Sequence, residues 1–146
     1  MRLFRVYVDG NVFYHPNLSK LAITEAKVSE DAENIDADVF AEMITGAVEG
    51  IQDISPAQVG DKSLLDTLVP AKEAFVAAKE AGKEFAECLD EMNAAAEKGW
   101  QSTKDLVAKI GRASRLGERS RGVLDAGATS CYFIITTIGT AAKELL

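Results

Sequence analysis

The fourteen residues KIGRASRLGERSRG, Lys109 to Gly122, carry five cations (Lys109, Arg112, Arg115, Arg119 and Arg121) against one acid, Glu118. This segment has a local charge of +4 in a chain of formal net charge −7, which leaves −11 on the remainder. Arginine forks bind phosphate oxygens two at a time, and glycine lets a backbone approach a ligand closely. Arg112, Arg115 and Arg119 are spaced by three and four and would share one face of a helix. Gly111, Gly117 and Gly122 argue instead for a loop with accessible backbone amides. The chemistry offered is recognition of a phosphate or nucleotide. The plain alternative is a solvated loop that pairs with acidic surface elsewhere.

Two further stretches have compatible chemistry. LDAGATS, residues 124–130, opens an apolar helix: Asp125 is a good N-cap, and Gly127 leaves the first turn open for a ligand to lie against the backbone. GDKSLLD, residues 60–66, sets a glycine turn and Lys62 just ahead of another capped helix, which could place Lys62 near a ligand. The G-x-x-x-x-G-K-[ST] spacing of a P-loop is absent. Read singly, the first is also an ordinary helix start and the second is a weak signal.

Other candidates carry less. His15 precedes Pro16 in a turn and has no nucleophile pattern beside it, so it reads as a surface histidine. The carboxylates of SEDAENIDAD lack the glycine and spacing of a calcium loop and read as a solvated linker. Cys88 and Cys131 show no metal-ligand spacing and read as buried free thiols. Trp100 reads as core.

The elements that must position these motifs follow from hydrophobic periodicity. DADVFAEMITGAVEGIQ places Val39, Phe40, Met43, Ile44, Ala47, Val48 and Ile51 on one helical stripe, capped by Asp36 or Asp38. Ser63 and Asp66 resemble a capping box opening a second helix, with Pro70 kinking or restarting it and Gly82 ending it. A long third helix is expected from Phe85 to Ile110, with Gly99 tolerated inside it. GATSCYFIITTIGTAAKELL is apolar almost all round and reads as a helix buried in the middle of a bundle. Ahead of these, LFRVYV is strand-like, DGN is a turn signal, and LSKLAITEAKV suits a short helix. The expectation is an all-α bundle or partial barrel of about five amphipathic helices, with an irregular arm and acidic linker over residues 1–36 and a helical domain over 37–146.

The totals agree with one globular domain: 146 residues, 47% of them hydrophobic. No run of about 18 apolar residues is present to cross a membrane, and the opening MRLFRVYV is too short and interrupted for a secretion signal. The expected location is the cytoplasm. Acidic net charge disfavours nucleic acid as a partner.

In order along the chain, VGDKSLLDTLVPA, STKDLVAKIGRASRLGERS and DAGATS resemble the nucleotide-binding L subunit, or L domain, of dihydroxyacetone kinases. The family pattern runs approximately GDKTMLD-x-x-xPA, then KGRASYLGERS, then DPGATS. GRASRLGERS matches it at every position except Arg115, where the family usually has tyrosine. The resemblance covers roughly residues 37–146. It implies an all-α barrel with ADP or ATP and magnesium at one end. It also implies two partners: a subunit holding dihydroxyacetone, and a phosphotransferase-system protein that recharges the bound ADP. Carried over residue by residue, Arg112 stands beside the nucleotide phosphates, Asp125, Ala126 and Gly127 line the nucleoside end, and Leu64 takes the place of a methionine near the adenine.

The departures matter equally. The family's magnesium motif GDxDHG and its SGPLxG nucleotide loop have no counterpart string here, so no metal ligand and no catalytic residue is assigned. The proline of DPGA has become Ala126. The implied function is an ADP/ATP-binding subunit of dihydroxyacetone phosphorylation, impaired on its own. The alternative is a non-catalytic relative acting as a binding or regulatory module, and a third reading is a fold without present activity. A helical barrel short of its first helices would bare apolar faces, so either the arm covers the gap or two chains pair as a homodimer. Light scattering on a size-exclusion column checks the pairing: a compact monomer rules it out.

Overall fold

The computed structural model describes residues 6–8, 11–13 and 35–146. The chain divides into two compact units, Met1–Pro56 and Ala57–Leu146. The expectations for His15, for a helix in LSKLAITEAKV and for most of the acidic linker fall outside the described residues.

In the first unit, strands β1 (Val6–Val8) and β2 (Asn11–Phe13) pair antiparallel with Val6 opposite Phe13, Tyr7 opposite Val12 and Val8 opposite Asn11. The residues between them in sequence are Asp9 and Gly10, a pair favoured in two-residue hairpin connections. Helix α1 (Ala37–Gln52) begins where the Asp36 carboxylate accepts from the N–H groups of Asp38 (3.0 Å) and Val39 (2.9 Å). Two orphan donors of the first turn are thereby satisfied. Phe40, Ile44, Ala47, Val48 and Ile51 are buried at the expected three- and four-residue steps.

The second unit is built from α2 (Leu65–Glu80), α3 (Phe85–Ser102) and α4 (Ala126–Glu144), with a 3₁₀ segment (Arg112–Ser120) ahead of the last. All regular structure in the described part of this unit is helical, as the all-α expectation required. The α2–α3 pair has the most extensive packing. Gly82, at φ +76°, lets α2 end with Lys83 N–H bonded to the Ala78 carbonyl (3.1 Å) and Gly82 N–H to that of Lys79 (2.9 Å). This reversal satisfies the last carbonyls and turns the chain into α3 within four residues. Glu87 then accepts from the N–H of Glu84 at 3.1 Å to start the next helix.

The core of this unit is a set of single stripes: Leu65, Leu68, Ala71, Phe75 and Ala78 from α2, then Cys88, Leu89, Met92 and Ala96 from α3, then Ala128, Cys131 and Ile135 from α4. Phe75 meets Phe85 edge to face with centroids 6.0 Å apart. Both cysteines are buried thiols outside any disulfide, and burial pushes the Cys88 thiol above its ordinary value.

Four expectations need correction. The helix expected through Ile110 stops at Ser102. Ser102 and Thr103 hydroxyls donate to the carbonyls of Gly99 and Trp100, both at 2.7 Å, and the N–H groups from Thr103 to Leu106 bond three residues back. Hydroxyl side chains thus compete for the ladder where it must tighten and end. Helix α2 does not restart after Leu68 but runs through Pro70 as one element. Helix α4 is not buried all round: Phe133 is 58% exposed, and the buried positions form one narrow stripe. Trp100 is only half-buried, stacked flat on Tyr132 at 4.4 Å.

Candidate functional site

Three buried polar side chains shape the ends of these helices. Asp66, 2% exposed, accepts from Gly60 N–H (2.6 Å) through one oxygen and from Ser63 N–H (2.7 Å) through the other. The second bond is half of the expected capping box. The Ser63 hydroxyl instead accepts from Leu65 N–H at 3.2 Å. The result is a compact turn over residues 60–66 that carries Lys62 and Leu64.

Lys62 does not face a ligand. Its Nζ donates to the carbonyls of Leu106 (3.1 Å), Ser120 (2.5 Å) and Val123 (2.8 Å), and its side chain is buried. An ammonium has three donors, and all three are taken. The expectation that Lys62 might approach a ligand is corrected accordingly. Ser120, fully buried, accepts from Ala108 N–H (2.9 Å) and donates to the Gly117 carbonyl (2.6 Å), closing the 3₁₀ segment onto the chain leaving α3. Lys109 N–H bonds the Asp61 carbonyl (3.1 Å), and Gly122 N–H bonds that of Lys104 (2.8 Å).

Helix α4 starts against the same turn. The Asp125 carboxylate accepts from Ala128 N–H at 2.8 Å, and its own N–H donates to the Thr103 hydroxyl at 3.1 Å. Thr129 Oγ1 donates to the Asp125 carbonyl (2.7 Å) and accepts from Trp100 Nε1 (2.9 Å), while Thr67 Oγ1 donates to the Ala128 carbonyl (3.3 Å). Gly127 lies so close that an added Cβ would sit 3.1 Å from the Asp125 carboxylate and 3.7 Å from Leu64 Cβ. Leu64, Asp125 and Gly127, far apart in sequence, therefore meet at one place. Ala126 is the exposed first residue of α4 beside them.

The basic segment is a 3₁₀ turn, not one helix: Gly117, at φ +52° and ψ −130°, interrupts it, and Gly111 enters at φ +68°. Two of its cations are neutralised. Lys109 pairs with Asp61 at 3.2 Å, and Arg121 pairs with Glu118 at 3.0 Å and also donates to the Asp105 carbonyl. The Gln58 N–H, with Lys109 behind it, holds the Asp61 carboxyl below the usual carboxylate range; Arg121 does the same to Glu118. Arg112, Arg115 and Arg119 are exposed and make no ion pair or side-chain hydrogen bond among the described residues. Arg112 heads the segment and is not bonded to Leu64, Asp125 or Gly127 among the described residues; it is the far end of the segment, at Ser120, that Lys62 holds to the 60–66 turn. Sequence reasoning missed the roles of Lys62, Ser120 and Thr103 and the second bond of Asp66, to Gly60. The one visible signal was the Ser63/Asp66 spacing, because hydrogen bonds to distant carbonyls leave no periodic trace.

Among the described residues no group of three or more histidine, cysteine or acidic side chains is placed to hold a metal, and Asp125 is already committed to its helix. By themselves the described carboxylates form no three-ligand magnesium site. No helix among them is long and apolar enough to cross a membrane.

Comparison with known proteins places this geometry in a family. The DAK2 domain matches residues 18–140, and the chain belongs to that family. The ADP-binding subunit DhaL of the PEP-dependent dihydroxyacetone kinase of Escherichia coli K12 is 32% identical over 129 residues, 88% of this chain and 61% of that protein. The corresponding subunit of dihydroxyacetone kinase 1 from Listeria innocua is 38% identical over 100 residues, 68% of this chain and 45% of its own length. The L-erythrulose kinase of Pectobacterium atrosepticum is 32% identical over 114 residues, 78% of this chain but 19% of that enzyme. The chain thus spans about half to three fifths of the subunits it matches.

Proposed function

We propose that this chain is a nucleotide-binding component of dihydroxyacetone phosphorylation, taking ADP or ATP and presenting its phosphate to a partner subunit that holds dihydroxyacetone. A phosphotransferase-system protein would recharge the nucleotide, and magnesium would accompany the nucleotide's phosphates without a three-carboxylate cluster from the described residues. The observation that carries the reading is the basic segment: three exposed arginines, unpaired among the described residues of an acidic chain, in a segment whose end at Ser120 is held by Lys62, two residues from Leu64. Arg112 would grip phosphate oxygens with its planar fork. Asp125, Ala126 and Gly127 would border the nucleoside, and Leu64 would offer the base an apolar contact. The likeness to ADP-binding subunits supports the same assignment. The second reading, a binding or regulatory module without catalysis, rests on the missing GDxDHG string in the sequence; pairing of two chains would cover apolar faces that a shortened barrel leaves bare.

A thermal-shift titration with ADP, with and without magnesium, tests the proposal. A ligand confined to the folded state adds roughly 2.7 kcal/mol at a hundred times its dissociation constant, several degrees for a chain of this size. The shift is expected in the native chain and is expected to vanish in Arg112→Ala. Absence of any shift in the native chain would remove nucleotide binding.

A further inference from the structure

We infer that Lys62 is a positioning residue of the nucleotide site, an internal cation that holds the basic segment and the start of α4 in register with Leu64. The inference rests on the nucleotide reading above and goes beyond it. Among the described residues Lys62 is the one non-glycine with positive φ, at +64°, and it is 3% exposed. A lysine stays in that conformation only where its surroundings hold it, and such strain collects at functional sites. The three carbonyls it gathers come from three separate points: Leu106 after α3, Ser120 at the end of the 3₁₀ segment, and Val123 two residues before Asp125.

The other ties of this stretch are single hydrogen bonds and surface ion pairs, such as Ala108 N–H to Ser120, Lys109 N–H to Asp61 and Gly122 N–H to Lys104. Among the described residues Lys62 is the one group that joins three of its points at once. From Lys104 to Leu124 only Ala108 and Ser120 are buried, so apolar packing contributes little to its course. Three carbonyl oxygens brought to one point repel one another unless donors lie between them, and here one ammonium satisfies all three. Because no donor is left over, Lys62 cannot grip a phosphate itself. Its effect on an anion is exerted through the path of the segment that begins at Arg112 and through the Asp125 cap. Leu64 follows it by two residues, on the turn pinned by Asp66.

The test compares Lys62→Met with Phe75→Leu, a core variant remote from these contacts, at a temperature where circular dichroism shows both fully folded. Calorimetric titration with ADP and magnesium is expected to show at least tenfold weaker binding in Lys62→Met and affinity within twofold of the native chain in Phe75→Leu. Hydrogen exchange at the Ala108 and Gly122 amides is expected to quicken in Lys62→Met alone. Should that variant fail to fold, the native chain still decides: ADP is expected to slow exchange at those two amides. ADP binding with unchanged protection there, or a Lys62→Met affinity within twofold of native, overturns the positioning role and leaves nucleotide binding standing. A native chain that binds no ADP overturns both.

Discussion

Alanine at position 99 is expected to lower the melting temperature by roughly 6–12 °C, although in an isolated helix the same change stabilises by about 1 kcal/mol. Gly99 lies in the last turn of α3 against the first turn of α2. A Cβ there would overlap the Asp66 carbonyl oxygen and sit 3.2 Å from its carbon and 3.3 Å from Thr67 Cα. All three atoms belong to helix backbone, so no side chain can swing aside. Pro70 explains why that oxygen is open: four residues on, where α2 should supply an N–H to Asp66, proline has none. Glycine at 99 is what lets the two backbones approach at this carbonyl. Overpacking into a rigid neighbour costs 1–3 kcal/mol, occasionally more, and backbone on backbone is the severe case, so a net loss of about 3 kcal/mol is expected. Each kcal/mol corresponds to about 2–4 °C in a chain of this size. Thermal unfolding followed by circular dichroism reads it. A melting temperature that rises with alanine would show that propensity outweighs contact, and that α2 and α3 stand further apart.

Pro70 and Gly99 also show where sequence reading stops. Each looks like a local irregularity, a helix breaker and a tolerated flaw, and only together do they make sense as the two sides of one close approach. What repeats locally was legible. The α1 stripe from Phe40 to Ile51, the Asp36 and Asp125 caps and the Gly82 stop all depend on neighbours within four residues. The meeting of Leu64 with Asp125 and Gly127 came from family resemblance, because no periodicity links positions sixty residues apart. The end of α3 was misplaced since Leu106 and Val107 continue a plausible apolar stripe while the hydroxyls of Ser102 and Thr103 turn the backbone away. Helix α4 was read as buried all round because hydropathy records what a side chain tolerates, and Phe133 is largely exposed in spite of it. Lys62 is the clearest case: its residue type suggested a ligand, and its environment spends the charge on backbone.

Asp66→Ala is expected to be the most damaging change near the site. The native carboxylate is 2% exposed and receives two backbone N–H groups, from Gly60 and Ser63, at 2.6 and 2.7 Å. Hydrogen bonds to a charged group contribute about 1.5–3 kcal/mol each, and removing the acceptor leaves both donors to find water in a part-buried turn. A loss of about 3–5 kcal/mol is expected, a large share of the roughly 5–15 kcal/mol that holds a domain folded. Asp66→Asn separates charge from shape. Its single carbonyl oxygen can keep one of the two N–H groups, while its amide presents donors to the other, so about half the loss is expected to return. Urea unfolding of the three proteins, with slopes compared to confirm a common unfolded state, gives the ordering. Asparagine equal to alanine would assign the turn to the charge alone, and alanine equal to native would mean that the 60–66 turn is held without Asp66. With the expected ordering, the turn loosens before the helices do. ADP affinity should then fall in Asp66→Asn under conditions where it remains folded, because Lys62 and Leu64 both ride on the turn that the carboxylate closes.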